Sequence, residues 1–86
     1  MNSAEFENRL TPLRPRLYKT ALLYLGGEDA ALEAVDEAVY KALRGLKKLR
    51  EEAYFETWLT RILINECKNE LRHRKRFVPL DDIPEE

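Results

Sequence analysis

Residues 54–76 read YFETWLTRILINECKNELRHRKR, and the fold class follows from how this stretch is patterned. It holds the chain's only Trp (Trp58), only Cys (Cys67) and only His (His73), together with the densest run of positive charge. At ~100° per residue on a helical wheel, Phe55, Leu59, Ile62, Leu63, Ile64, Cys67 and Leu71 fall on one broad apolar arc. The remaining stripe carries Trp58, Arg61, Asn65, Lys68, Asn69 and Arg72. That stripe combines positive charges for phosphates, amides for base edges and an aromatic for stacking, which is the chemistry of a nucleic-acid contact. Periodicity alone does not separate this from a core helix whose polar side faces water.

The totals set the bounds. Eighty-six residues make one small domain with a modest core. Charged residues are 36% of the chain and the mean hydropathy is -0.56. The longest charge-free apolar run, residues 20–27, is far too short to span a bilayer. The start, MNSAEFENRL, has acids and no apolar core segment, so it does not read as a signal peptide. One Cys forms no internal disulfide, and one His with one Cys builds no zinc site. Cys67, on the apolar arc, reads as a small buried hydrophobe. A cytoplasmic protein without membrane insertion is expected.

The net charge of -1 is no signature of a basic DNA-binding domain; its distribution is more informative. Residues 57–77 hold six basic side chains against two acidic ones, and residues 28–45 hold five acidic against two basic. The last six residues add four acids. Segregation of this kind suits partners of opposite sign, although solvated helix faces also produce it.

Working outward towards the N-terminus, Ser3 reads as the N-cap of a first helical segment. Phe6, Leu10, Leu13, Leu17, Ala21 and Tyr24 then recur at helical spacing, interrupted by Pro12 and Pro15. Either a short helix ends at Leu10 and a second begins with Thr11 as cap, or one helix kinks at the prolines. Gly26-Gly27 closes this segment. A second helix runs to about Gly45, with Glu28 and Asp29 at its positive end. Its wheel puts Leu32, Val35, Ala38, Val39, Ala42, Leu43 and Leu46 on the inner side, and Glu33, Asp36, Glu37, Tyr40 and Arg44 on the outer. Ala31, Ala34, Ala38 and Ala42 favour helix and close helix approach. The outer face is either simply solvated or a docking surface for a basic partner. Residues 47–53 connect to the third helix, 54–75, where Glu66 and Glu70 interrupt the apolar arc, so its C-terminal half is expected to project beyond the core. Val78-Pro79 ends regular structure, and residues 79–86 read as an acidic linker or disordered tail. The prediction is an all-α bundle of three main helices, the first broken or kinked at Pro12/Pro15, with one domain over residues 1–78.

Catalytic machinery is not evident. There is no Gly-rich phosphate loop, and Ser3, the sole serine, has no His near it in sequence. The carboxylates lie on hydrophilic faces, with nothing to raise a pKa for acid–base work. His73, inside RHRKR, suits phosphate contact better than catalysis. The reading is a binding module, with no catalytic residue, metal or cofactor.

Three fragments together resemble region 2 of the extracytoplasmic-function (ECF) sigma factors of bacterial RNA polymerase. These are RPRLYKTALLYLGGEDA (14–30), EAVDEAVYKALRGL (33–46) and AYFETWLTRILINECKNELRHRKR (53–76). In the third, the matching residues are Phe55, Thr57-Trp58-Leu59, Arg61-Ile62, Asn65 and the basic run 72–76. The resemblance implies that the second helix docks on the clamp helices of the polymerase β′ subunit through Glu33, Asp36, Glu37, Tyr40 and Arg44. Asp36 departs from the Gln common in the family, keeping an acceptor but losing an amide donor.

It also implies that the third helix and the loop before it recognise and melt the promoter -10 element, on the non-template strand, with one base flipped into a pocket. Leu49, Arg50 and Tyr54 belong to that loop, with Phe55 at its base. Asn65 would make paired hydrogen bonds with a base, Arg61, Lys68, Arg72, Arg74 and Lys75 would hold phosphates, and Asn69 belongs to the same DNA-binding set. Trp58 is left as either a packed core aromatic or a stacking platform. An anti-sigma factor is a further partner that the family allows. The chain stops at Glu86, inside what resembles the linker to a -35-reading domain, and an excised domain is the expectation. The competing reading is a helical protein-interaction module without DNA function, whose basic helix meets an acidic protein.

Overall fold

The computed structural model describes residues 1–76, and every regular element in them is helical. Four α-helices follow in order: α1 (Ser3–Leu10), α2 (Arg14–Leu25), α3 (Glu28–Arg44) and α4 (Phe55–Arg76). Short 3-10 turns lie at Thr11–Leu13, Leu46–Lys48 and Glu52–Tyr54. The all-α expectation holds, with α1 and α2 as the two pieces of the predicted first helix. The expected end at Val78-Pro79 and the tail 79–86 fall outside the described residues. Among the described residues, no helix is long and apolar enough to cross a membrane.

The cap of α1 lies one residue earlier than predicted. Asn2, in extended conformation, accepts from the Glu5 N–H through Oδ1 at 2.8 Å, so Ser3 is the first helical residue. At the prolines the backbone stays right-handed helical, with φ, ψ of -70°, -43° at Leu10 and -89°, -18° at Leu13. Pro12 and Pro15 each sit in the first turn of an element, where a missing N–H leaves no helical carbonyl unpaired. The Thr11 hydroxyl donates back to the Glu7 carbonyl at 2.9 Å. The outcome is a 3-10 tightening between two helices.

Helix α2 ends at Gly26, which takes φ +76° and donates to the Leu22 carbonyl at 2.8 Å. A side chain is strained in that conformation, so glycine is the residue that lets the chain reverse into α3.

Helix α3 packs against both α2 and α4, and α2 also meets α4. The core is Phe6 and Leu10 from α1; Leu17, Ala21 and Leu25 from α2; Ala31, Ala34, Val35, Ala38 and Ala42 from α3; and Phe55, Leu59, Leu63 and Cys67 from α4. Phe6 meets Phe55 edge to face, with ring centroids 5.6 Å apart. The four α4 residues recur every fourth position and form the spine of the bundle. Burial raises the Cys67 thiol pKa, which keeps it protonated and unreactive.

The predicted core needs three corrections. In α3 the alanines, not the leucines, face inward: Leu32 is 52% and Leu43 43% exposed, and Val39 is half-buried. The alanine stripe lets neighbouring helices approach closely, and the bulkier residues are left on its flank. In α2, Leu25 is buried in place of Tyr24, which is exposed. In α4, Leu71 is exposed and the buried residues stop at Cys67, in keeping with a C-terminal half that projects past the core.

Candidate nucleic-acid interface

Two elements build the site: α4 and the loop that leads into it. Helix α3 stops at Gly45, whose N–H donates to the Lys41 carbonyl at 2.9 Å. A Cβ there would lie 3.3 Å from that carbonyl oxygen and 4.0 Å from Trp58 Cζ2. Glycine thus lets the chain turn tightly under the indole. After the turn Leu46–Lys48, the backbone is extended at Leu49 and Glu51, then coils again at Glu52–Tyr54 to launch α4.

Lys48, Leu49, Arg50, Glu51, Tyr54, Thr57, Trp58 and Arg61 surround a surface depression of about 500 Å³. This volume is within the ~300–1,000 Å³ typical of ligand sites. A neighbouring groove of about 540 Å³ is lined by Arg16, Glu56, Thr57, Thr60, Arg61, Ile64, Asn65 and Lys68. Thr57 and Arg61 line both, so the loop depression adjoins the polar stripe of α4. Asn65 and Trp58 also face a third hollow, beside Lys41, Gly45, Lys48 and Asn69.

Of the residues singled out from sequence, Leu49, Arg50, Tyr54, Trp58, Arg61, Asn65 and Lys68 are brought together along this lane. Tyr54 is 64% exposed at the rim. Trp58 has two faces: it packs against the core, with its ring 6.3 Å from that of Phe55, and it lines the loop depression. The core alternative holds for the side facing Phe55, while the other side is open to the depression. Asn69 and Arg72 continue the stripe, joined by a hydrogen bond from Arg72 Nη2 to Asn69 Oδ1, and Lys75 is exposed beyond them.

Two residues do not join the lane. Phe55 is only 1% exposed and beyond the reach of a base. Arg74 lies on the other side of the helix. Its Nη1 donates to the Leu25 carbonyl at 2.9 Å and its Nε to Glu70 at 3.3 Å, so it satisfies the carbonyl end of α2. The wheel position, about 160° from Arg72 in sense of rotation, is the signal that composition alone hid.

The predicted docking face of α3 divides. Glu33, Asp36 and Glu37, with Ala30 and Ala34, line a groove of about 520 Å³ whose opposite side is Glu66 and Glu70 of α4. Lys41 bridges the helices, donating from Nζ to Glu66 at 2.6 Å; this hydrogen bond raises the Lys41 pKa. Arg44 donates to the Tyr40 hydroxyl at 3.2 Å and stands 5.6 Å from its ring centroid. Sequence reasoning placed Leu32 and Leu43 in the core, and so missed the exposed apolar side chains beside this face. The four alanines at helical spacing were the available signal.

Comparison with known protein families matches residues 10–77 to sigma-70 region 2. The chain belongs to that family. Among similar proteins, RNA polymerase sigma factor SigV of Bacillus subtilis is 29% identical over 73 residues, 85% of this chain and 44% of that protein. The RNA polymerase sigma-H factor of Pseudomonas aeruginosa is 43% identical over 56 residues, 65% of this chain and 29% of that protein. ECF RNA polymerase sigma factor SigM of Mycobacterium tuberculosis is 33% identical over 70 residues, covering 79% and 36% respectively. The chain thus spans less than half the length of each of these relatives. No solved structure matches it. It is an ECF-type sigma factor region 2.

Proposed function

We propose that this region 2 domain acts in the cytoplasm, where it holds RNA polymerase core through α3 and reads the promoter -10 element through α4 and the loop before it. The observation that carries the reading is that the loop depression and the α4 groove adjoin, with Thr57 and Arg61 lining both. A base turned out of the stack and seated among Leu49, Arg50, Tyr54 and Trp58 leaves its neighbours running past Arg61, Asn65 and Lys68. Unstacking a base costs a few kcal/mol, offset by aromatic and apolar contact in the pocket and by charge along the backbone. Asn65 offers the donor–acceptor pair that reads a base edge. Lys68, Arg72 and Lys75 supply the salt-sensitive part of affinity.

On the other side, α3 exposes the apolar side chains of Leu32, Tyr40 and Leu43 interspersed with its carboxylates. This suits the basic, amphipathic surface of a helical partner such as the β′ clamp helices. Anti-sigma control is compatible with the same face.

The test is equilibrium binding of the chain to a labelled pool of non-template -10 single strands and to its complement, across a salt series. Preference for the non-template pool that survives at higher salt supports the reading. Equal, weak and purely salt-dependent binding to both pools contradicts it.

A further inference from the structure

The loop 49–54 forms the mouth of the depression, yet its own backbone hydrogen bonds are local. Leu49 N–H donates to Leu46, and Tyr54 N–H to Glu51, each closing a three-residue turn. A long-range clamp comes from α1. Arg9 Nη2 donates to the Glu52 carbonyl at 2.9 Å across 43 residues of sequence. The same guanidinium lies 4.9 Å from the Phe55 ring centroid, and Phe55 is held edge to face by Phe6. A planar guanidinium can donate in its plane while its face stacks on a ring, which an ammonium cannot do. The Met1 amino group, 3.1 Å from Glu52 Oε1, is a second tie, to the side chain of the same residue, and Arg16 to Glu56 a third one turn further on. The family match begins at residue 10, so Arg9 precedes the matched segment.

We infer that Arg9 is a positioning residue for base recognition: from α1 it pins the Glu52 carbonyl and so fixes where Leu49, Arg50 and Tyr54 stand around the pocket. The inference rests on the proposed reading of that pocket as a base site. Arg9 itself does not line it. Its contribution is to hold a loop with few bonds of its own in a receptive shape, so that ordering is not charged against binding.

Two variants separate the contributions. Arg9→Met keeps apolar cover over Phe55 and removes the donor; Arg9→Lys keeps charge and one donor. In Arg9→Met, amide hydrogen exchange of residues 49–54 should rise while helical content by circular dichroism is retained. Preference for the non-template pool over its complement should fall about five- to tenfold, the size of one ordinary net hydrogen bond. The dependence of affinity on salt should stay at the wild-type slope, because no phosphate contact is lost. Arg9→Lys should recover part of the preference. Unchanged exchange in 49–54 overturns the clamp. Faster exchange with preference intact overturns the positioning role and leaves a purely structural one. A wild-type chain without preference refutes the base-site reading itself, an outcome visible before any Arg9 variant is made.

Discussion

Arg74 donates to the Leu25 carbonyl, whereas Arg72, two positions earlier, reaches only Asn69 on its own helix. Substitution should therefore separate them. Arg72→Gln is expected to weaken all single strands alike and lower the salt slope by about one, with the melting temperature unchanged. Arg74→Gln should keep the slope and lose about 1 kcal/mol of stability, read by urea unfolding, because the end of α2 loses a partner. Asn65→Ala should cost roughly 1–3 kcal/mol of discrimination at one base position and leave polymerase binding intact. Equal weakening on every oligonucleotide would make Asn65 a positioning contact instead. The residue scale is also where sequence reading reached its limit. RHRKR shows a basic run, but only the position of Leu25 in space tells which arginine turns inward. Phe55 had the same ambiguity, settled by Phe6 filling the space beside its ring.

At the scale of elements, the helices were legible because period, caps and breakers agree. The apolar arc of α4, the Gly26 stop and the two prolines each correspond to a feature of the fold. The facing of α3 was not legible in the same way, since Leu32 and Leu43 lie on the flank of the alanine stripe and a wheel alone rewards the larger side chains. That exposed flank leads to a prediction: Leu32→Ser with Leu43→Ser should impair capture of a β′ clamp-helix fragment while costing less stability than Leu59→Ala alone, because both side chains are about half exposed. An unchanged pull-down would remove this flank from the docking surface. Between α3 and α4, the bond to Glu66 raises the Lys41 pKa above its ordinary 10.5. The pair's contribution is therefore complete below that value and is lost as pH rises through the folded-state pKa. Wild type should lose slightly more stability than Lys41→Met on going from about pH 9 to about pH 11.5, and only slightly, because the Lys41 side chain is about half exposed. Equal losses in the two proteins would show that the pair contributes nothing.

For the whole molecule, one small core carries both the α4 stripe and the outer face of α3. The spine Phe55–Leu59–Leu63–Cys67 is the contribution of α4 to the core and Leu59 is fully buried, so Leu59→Ala should cost about 2–5 kcal/mol, a large part of the stability of a domain this small. Both surfaces depend on that spine: the α4 stripe lies behind it, and the α3 face is carried on the alanines packed beside it. The central claim is that this framework presents a sequence-reading lane for single-stranded DNA. Selection from a random single-stranded pool by the wild-type chain, with Asn65→Ala run in parallel, tests it most directly. The account predicts a short enriched motif with wild type, and loss of preference at one position within it for the variant. A wild-type selection that enriches no motif, with strands retained only in proportion to their charge, would contradict it.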